Sequence, residues 1–302
     1  MESHVHLSET TNIKSLRISA VLIGLYFIFE VTVAVITGSL SLLADAAHEL
    51  STAGAIFVSL LAIRFASRPP TPEHTYGYLR AEIIAALLNG LLLFGMAGFI
   101  LYQGVTRLGN PMVIPSTPMF IVAVGGIWLE IASLFIMYRG QKENMNIRGS
   151  FWHVINAFLG SIAVIIAAIF IATARIYIAD SIAGIIFAFV LVYGAFGLVR
   201  NSFLVLIEAT PAGVDMSAIE NDLRQIPAVT DIHHMHAWLI ASGIKAFSVH
   251  VLVNDLSLYD NTLQSIKSIL AEKYGFALST VQIETADLME TEYARLEYRK
   301  TV

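Results

Sequence analysis

Apolar positions dominate the first two thirds of the chain and fall into six runs, at 18–36, 40–64, 83–105, 119–137, 154–174 and 182–207. Each comes close to or exceeds the roughly 20 residues a helix needs to cross a bilayer. The pattern predicts an all-α, six-span transmembrane bundle. Its connections differ in charge. Lys14, Arg17, Arg64, Arg68, Arg80, Arg139, Lys142, Arg148 and Arg200 border one side, and only Arg107 and Arg175 the other. Basic residues stay on the cytoplasmic side, so both termini are expected there, in agreement with an even number of spans. Pro69, Pro70 and Pro72 stop the second run before Tyr78 and Arg80 lead into the third, forming either a rigid turn or a gating segment.

The pattern changes at Pro211 and Gly213. A short helix starts near Asp215, alternation marks strands at 230–239 and 246–253, a helix covers 263–273 and a last strand 280–284. Helix, strand, strand, helix, strand predicts a small open-faced α+β domain whose sheet can pair with a copy of itself. The domains expected are therefore 1–209 in the membrane and 210–302 outside it.

Composition narrows the class. The 302 residues are 56% hydrophobic and 14% charged, with a mean hydropathy of +0.71, beyond the range of a soluble domain. The apolar run after Arg17 is too long for a cleavable signal and should remain as the first span. A net charge of -5 without a basic cluster excludes nucleic acid as a partner. Without cysteine, any metal is held by nitrogen and oxygen. No nucleophile with its base, nucleotide loop or hydrolytic zinc motif is evident, so neither an enzyme nor an organic cofactor is expected.

The second run carries the chemistry. In TGSLSLLADAAHELSTAG, residues 37–54, Asp45, His48, Glu49 and Thr52 fall within an arc of about 100° on a helix. Ionisable groups in such a segment mark a site, because facing them to lipid is expensive. His153 and Asn156 share a face in the fifth run. If the two helices cross, His48 and His153 supply two nitrogens that suit Zn²⁺ and its first-row neighbours, with Asp45 or Glu49 completing the set. The other reading is a hydrogen-bonded cluster that fixes helix packing. Such a site binds either metal or protons, which couples cation export to proton entry. Glu30 and Glu130, in the first and fourth runs, stand as proton-relay groups or as satisfied structural acids. Asp180 reads as a helix-starting cap, and Gly90, Gly95 and Gly98 as points of close helix contact.

Beyond the membrane segment, DIHHMHAW gathers His233, His234 and His236, with His250 on the next strand. Strict alternation makes His234 and His236 the like-facing pair, with His233 opposite. The density favours metal binding over a solvated strand end.

These stretches resemble the cation diffusion facilitator family of zinc and divalent-metal transporters. The resemblance rests on GSLSLLADAAHEL, PPTPEHTYGYLRAEIIAALLNG, RGSFWHVINAFLGSIAVIIAA, LIEATPAGVDMSAI and VTDIHHMHAW. It implies homodimers in the inner or plasma membrane, six spans with cytoplasmic termini, and a ferredoxin-like C-terminal domain that binds metal and tightens the dimer. It also implies proton-coupled efflux, with Zn²⁺ as the expected ion. In the zinc branch the transport site follows His-x-x-x-Asp twice. Here the first pair falls on His48 and Thr52 and the second on His153 and Ala157, so both aspartates are missing. The family's usual asparagine in the fourth span is Glu130. Its His-Asp-x-His-x-Trp matches His233, His236 and Trp238, with His234 at the aspartate. A further histidine falls on Leu278, whereas Thr280, Gln282 and Glu284 match. The expectation is a rearranged or weakened transport site using Asp45, Glu49 and Asn156. The alternatives are a transport-deficient relative acting as partner or metal sensor, and a membrane-anchored interaction protein.

Overall fold

The computed structural model describes residues 21, 24–66, 70–137 and 145–285, with all their side chains except those of 55–66, 133, 136, 137, 145–153, 156 and 256. Two compact units divide them. One takes the chain before Pro70 together with Ile84–Arg200, the other Pro70–Ile83 and the chain from Asn201 onward.

Among the described residues, six helices fall on the apolar runs: α1 (Gly24–Thr37), α2 (Leu40–Ala66), α3 (Ala81–Gly109), α4 (Ser116–Met137), α5 (Met145–Ala174) and α6 (Ile178–Leu206). Among the described residues, Ala81–Gly109, Ala157–Ala174 and Ile178–Leu206 are long and apolar enough to cross a membrane. Gly24–Thr37 and Ser116–Ala132 are apolar but shorter. Many outward side chains are large and apolar, among them Val35, Trp128, Phe135 and Tyr193, a surface suited to lipid.

Within the first unit α2 is central. On one side Leu42 joins a core with Ala34 of α1, Val122 of α4 and Val164 of α5. On the other, Ala44 and Ala47 pack with Leu93 of α3 and Phe187 of α6. A run of buried alanines, Ala44, Ala46 and Ala47, lets the neighbours approach from both sides. The start of α2 is fixed by an unexpected partner. Gly38 turns the chain at φ +73°, and Asp180, from the first turn of α6, accepts hydrogen bonds at the new helix's N-terminus. Its donors are Ser39 Oγ at 2.6 Å, Leu40 N at 2.7 Å, Ser41 N at 3.1 Å and Ser41 Oγ at 2.6 Å. Asp180 is thus a cap, but of α2 rather than of its own helix. Arg107 of α3 donates to Gly38 O at the same turn. Of the glycines on α3, Gly90 meets Val199 of α6, while Gly95 and Gly98 face open space. Gly104, against Ile185, is the second close approach.

The second unit holds the α+β domain. Asp215 caps α7 (Met216–Arg224) by accepting from Ser217 N at 2.9 Å and Ala218 N at 3.2 Å. Strands β1 (Val229–Ala241) and β2 (Ile244–Val253) pair antiparallel. Then α8 (Tyr259–Ser268), prolonged by a π-turn over Ile269–Lys273, leads to β3 (Leu278–Glu284), parallel to β2. The element order is the one the sequence predicts, and the sheet order is β1-β2-β3. Phe247, Val249 and Val251 face the helices and pack on Ile219, Leu223, Ile266 and Leu270. Ser248, His250 and Leu252 alternate with them and occupy the other face. The proline-rich connection folds as a tight turn, with Thr71 and His74 exchanging backbone hydrogen bonds at 3.1 and 3.0 Å. Arg80 then pairs with Glu208 at 2.6 Å, and Glu82 accepts from Ser242 at 2.7 Å.

Candidate metal sites

In the helical unit, the alanine-rich surface of α2 buries its polar residues. Asp45 is 2% exposed and His48 7%; Glu49 and Thr52 are half-buried. The two fully buried groups turn to different neighbours. Asp45 faces α5, where Ser161 Oγ lies 3.2 Å from Asp45 Oδ2 and 3.0 Å from Glu130 Oε1 of α4. Glu30 of α1 neighbours Asp45 and is 0% exposed. His48 instead sets its ring 5.9 Å from that of Phe187, tilted by 55°. Gly160 fills the gap beside both, since a Cβ there would collide with Phe187 and with Asp45 Oδ1. Thr52 directs its hydroxyl to His48 O at 3.1 Å. The side chains of His153 and Asn156 lie outside the described residues, so the two-helix ligand set is represented here by its α2 half.

Glu30 and Glu130 are partnered only in part, Glu130 by Ser161 and Glu30 by its neighbour Asp45. Beyond the contact between Glu30 and Asp45, Glu30 Oε1 and Oε2, Glu130 Oε2 and Asp45 Oδ1 are buried without a hydrogen-bond partner. Ser161, which the sequence reading missed, is the link between Asp45 and Glu130. Its signal was its position eight residues beyond His153, on the same helical stripe.

On the open face of the sheet, His233, His234 and His250 each offer a nitrogen within 4.8 Å of the others. Strict alternation fails here for a local reason. The register pairs His233 with His250 and then His236 with Ser248, which leaves one extra residue in β1. His234 takes it up at φ +50°, in the left-handed region that histidine tolerates better than most residues. The bulge swings His234 beside His233 and His250, with ring centroids 5.0 to 5.4 Å apart. The expected like-facing pair of His234 and His236 is therefore corrected. His236 is exposed and stands apart from the cluster.

Glu284 completes the group. Its carboxylate lies 2.8 Å from His250 Nδ1 and 3.2 Å from His233 Nε2 and accepts from Gln282 Nε2 at 2.7 Å. Its Oε2 and the Nε2 of His234 are buried without hydrogen-bond partners, atoms that a metal ion would satisfy. Three imidazoles and an anchored carboxylate fit a tetrahedral ion of the zinc type. Alternation on β3 could have found Glu284, which lies on the same face as Gln282, the residue paired with His250.

Comparison with known proteins decides between the class readings. Residues 16–207 match the profile of the cation efflux transmembrane domain, and residues 211–286 that of the cation efflux protein cytoplasmic domain. The chain belongs to the cation diffusion facilitator family. This is a family of metal transporters, not of enzymes. The cation efflux system protein CzcD of Alcaligenes sp. (strain CT14) is 38% identical over 295 residues, covering 97% of this chain and 93% of that protein. A Bacillus subtilis (strain 168) relative, named cadmium, cobalt and zinc/H(+)-K(+) antiporter, is 36% identical over 287 residues, 93% of this chain and 92% of its own. The zinc transporter ZitB of Escherichia coli (strain K12) is 32% identical over 281 residues, 92% of this chain and 90% of its own. Among solved structures, the metal-bound C-terminal domain of the CzcD transporter from Cuprividus metallidurans matches at 30% identity. It covers 24% of this chain and 99% of that one, with a TM-score of 0.22. Within this cation diffusion facilitator, the helical unit thus carries a carboxyl-rich cluster, and the C-terminal domain an imidazole-rich one.

Proposed function

We propose that this chain is a proton-coupled divalent metal cation efflux transporter of the cell membrane. It has six spans, cytoplasmic termini and a ferredoxin-like C-terminal domain through which two copies pair. The observation that carries the reading is the match to both family domains, joined to ionisable residues buried along α2. Relatives named for zinc and for H(+) antiport support Zn²⁺ as the first ion to test and protons as the counter-ion.

His48 and His153 supply nitrogen ligands, Glu49 and Asp45 the negative charge, and Asn156 a further oxygen. The charge has to come from these neighbours. Thr52 commits its hydroxyl to the backbone of α2, and Ala157 offers only a buried methyl. Imidazole and carboxylate bind metal only after releasing protons, so loading the ion on one side and protons on the other drives the exchange. A metal held by His233, His234, His250 and Glu284 tightens the dimer when the cytosolic concentration is high.

The test is flux into proteoliposomes under an imposed pH gradient, comparing Zn²⁺, Cd²⁺, Mn²⁺, Fe²⁺, Co²⁺ and Ni²⁺ in the native protein and in Glu49→Gln. Uptake that needs both the gradient and Glu49 is expected. The missing aspartates at Thr52 and Ala157 favour one competitor, a transport-deficient member acting as partner or sensor. It predicts no flux above empty liposomes until Thr52→Asp and Ala157→Asp are introduced together.

A further inference from the structure

Among the described residues of the helical unit, Asp180 is the buried acid whose two oxygens are both engaged. Every donor lies at the start of α2. Oδ2 takes the Leu40 amide at 2.7 Å, and Oδ1 takes the Ser41 amide at 3.1 Å together with the hydroxyls of Ser39 and Ser41, each at 2.6 Å. The next amide of the helix, that of Leu42, goes to Ser39 Oγ at 3.2 Å. Successive amides on a helix point about 100° apart. One carboxylate that holds two of them fits α2 at a single rotation about its axis, so this cap does more than satisfy donors. The same stripe of α6 then follows α2 onward, since Asp180, Gly184 and Phe187 stand at helical spacings of four and three. A Cβ at Gly184 would lie 2.9 Å from Leu40 Cβ and 3.0 Å from the Leu40 carbonyl carbon, and Phe187 sets its ring 5.9 Å from that of His48.

We propose that Asp180 is a positioning residue for transport. By gripping the Leu40 and Ser41 amides it fixes the helical phase of α2, and with it which side chains of α2 meet α5 and which meet α6. The phase has only a short way to carry. Asp45 and His48 lie about 8 and 12 Å along the axis from Leu40. A turn of about 20° moves a side-chain end some 6 Å from the axis by about 2 Å, well beyond the roughly 0.5 Å within which a binding constellation is held. Asp45 Oδ2 then leaves its 3.2 Å approach to Ser161 Oγ. The pin is itself anchored in α3 and α6. Arg107 of α3 donates to Gly38 O on the turn just before, and Gly104 of α3 packs against Ile185 of α6. With both oxygens committed, Asp180 acts through α2 and not as a ligand. Its role in transport rests on the efflux reading, whereas its hold on the phase of α2 does not.

The experiment has two arms. Because the chain contains no cysteine, an engineered pair reports alone. In the first arm, full-length protein in detergent carries Asp45→Cys with Ser161→Cys, and the rate at which a short bifunctional thiol reagent joins them reads the phase of α2. Asparagine matches aspartate in shape but offers one acceptor oxygen in place of two, so Asp180→Asn releases an amide of α2 while keeping the packing. Cross-linking is expected to slow about tenfold or more in Asp180→Asn, with the protein still monodisperse. An equal rate overturns the proposal. In the second arm, Zn²⁺ flux into proteoliposomes is measured without that pair. Asp180→Asn should raise the half-saturating Zn²⁺ concentration about tenfold or more. A disulfide between Leu40→Cys and Gly184→Cys, which needs a Cβ separation of about 3.5–4.5 Å, should bring it back to the value of the same disulfide with Asp180 present, and reduction should undo the repair. Flux that the disulfide leaves unrepaired overturns the proposal, because Asp180 then belongs to the path of the ion itself. Absence of flux in the native protein, with the cross-linking contrast intact, removes the efflux reading and leaves the hold of Asp180 on α2 supported.

Discussion

On the sheet, three imidazoles converge beside one carboxylate that already has a donor from Gln282. Among the helices, the Ser161 hydroxyl lies between the Asp45 and Glu130 carboxyls, and most oxygens of these two and of neighbouring Glu30 have none. The first cluster leaves the His234 Nε2 and one oxygen of an otherwise anchored Glu284 without partners. The second is short of positive charge. The difference teaches that burial in this chain follows two rules. The sheet cluster leaves mainly a nitrogen open beside an anchored carboxylate, whereas the helical cluster leaves only carboxyl oxygens open.

The sharpest way to break that contrast is to compare two buried acids of the same unit, Asp180 and Glu30. Asp180 holds four donors at the start of α2, and Glu30 holds none. Replacing Asp180 with Ala orphans buried N–H and O–H groups, for an expected loss of about 3–5 kcal/mol. Replacing Glu30 with Gln in metal-free protein removes one of several neighbouring buried acids and strands no donor, so stability holds or rises. Thermal unfolding in detergent reads both. A Glu30→Gln protein that melts as early as Asp180→Ala would show that Glu30 is a structural acid after all.

A second test separates members of the imidazole cluster. Alanine at His234 should weaken Zn²⁺ binding by the C-terminal domain by about 100-fold, and alanine at His236 hardly at all. Titration of the full chain against a competing chelator measures the ratio. Equal losses would mean that strict alternation, and not the bulge, describes β1.

The packing beside the carboxyl cluster gives a third, smaller effect. Adding a methyl at Gly160 forces Phe187 and the Asp45 carboxyl apart, an overpacking worth about 1–3 kcal/mol. Unchanged melting would place Asp45 farther from α5 than the 3.2 Å contact with Ser161 requires.

How much of this was legible follows from the physics of each element. The apolar runs locate α1 to α6 because burial and lipid exposure both demand apolar residues, and alternation locates β1 to β3. Asp180 shows the limit. Its position suggested capping, but a cap recruited from 140 residues away in sequence is a tertiary contact that no local pattern encodes. His234 fails for the opposite reason, since one inserted residue reverses which side chains share a face. The α2 arc put Asp45 and His48 on one stripe, and both are buried. Periodicity could not tell that Asp45 would choose Ser161 and His48 Phe187, because helix rotation is set by neighbours. Ser161 looked like a small residue in a span, and only the approach of α4 and α2 gives it two acids to bridge.

The last and smallest prediction turns to a half-buried acid of the C-terminal domain. The Lys273 ammonium, and after it the Tyr274 hydroxyl, hold the Asp222 carboxyl below its usual range. Burial, then the Asp222 carboxylate, pushes the Tyr274 phenol up to about 12. The signs follow from which form the fold prefers. A carboxyl depressed on folding lends stability above its ordinary value, and that stability is lost as pH falls through the folded value. A phenol raised on folding lends stability below its ordinary value, lost as pH rises through about 12. The C-terminal melting transition of metal-free protein should therefore fall slightly on acidification below the ordinary aspartate range, and Asp222→Asn should flatten that slope while leaving Zn²⁺ affinity at His233, His234 and His250 unchanged. If the slope persists in Asp222→Asn, the acid-labile contact lies elsewhere in the domain, and the satisfied carboxylates contribute less than their donors suggest.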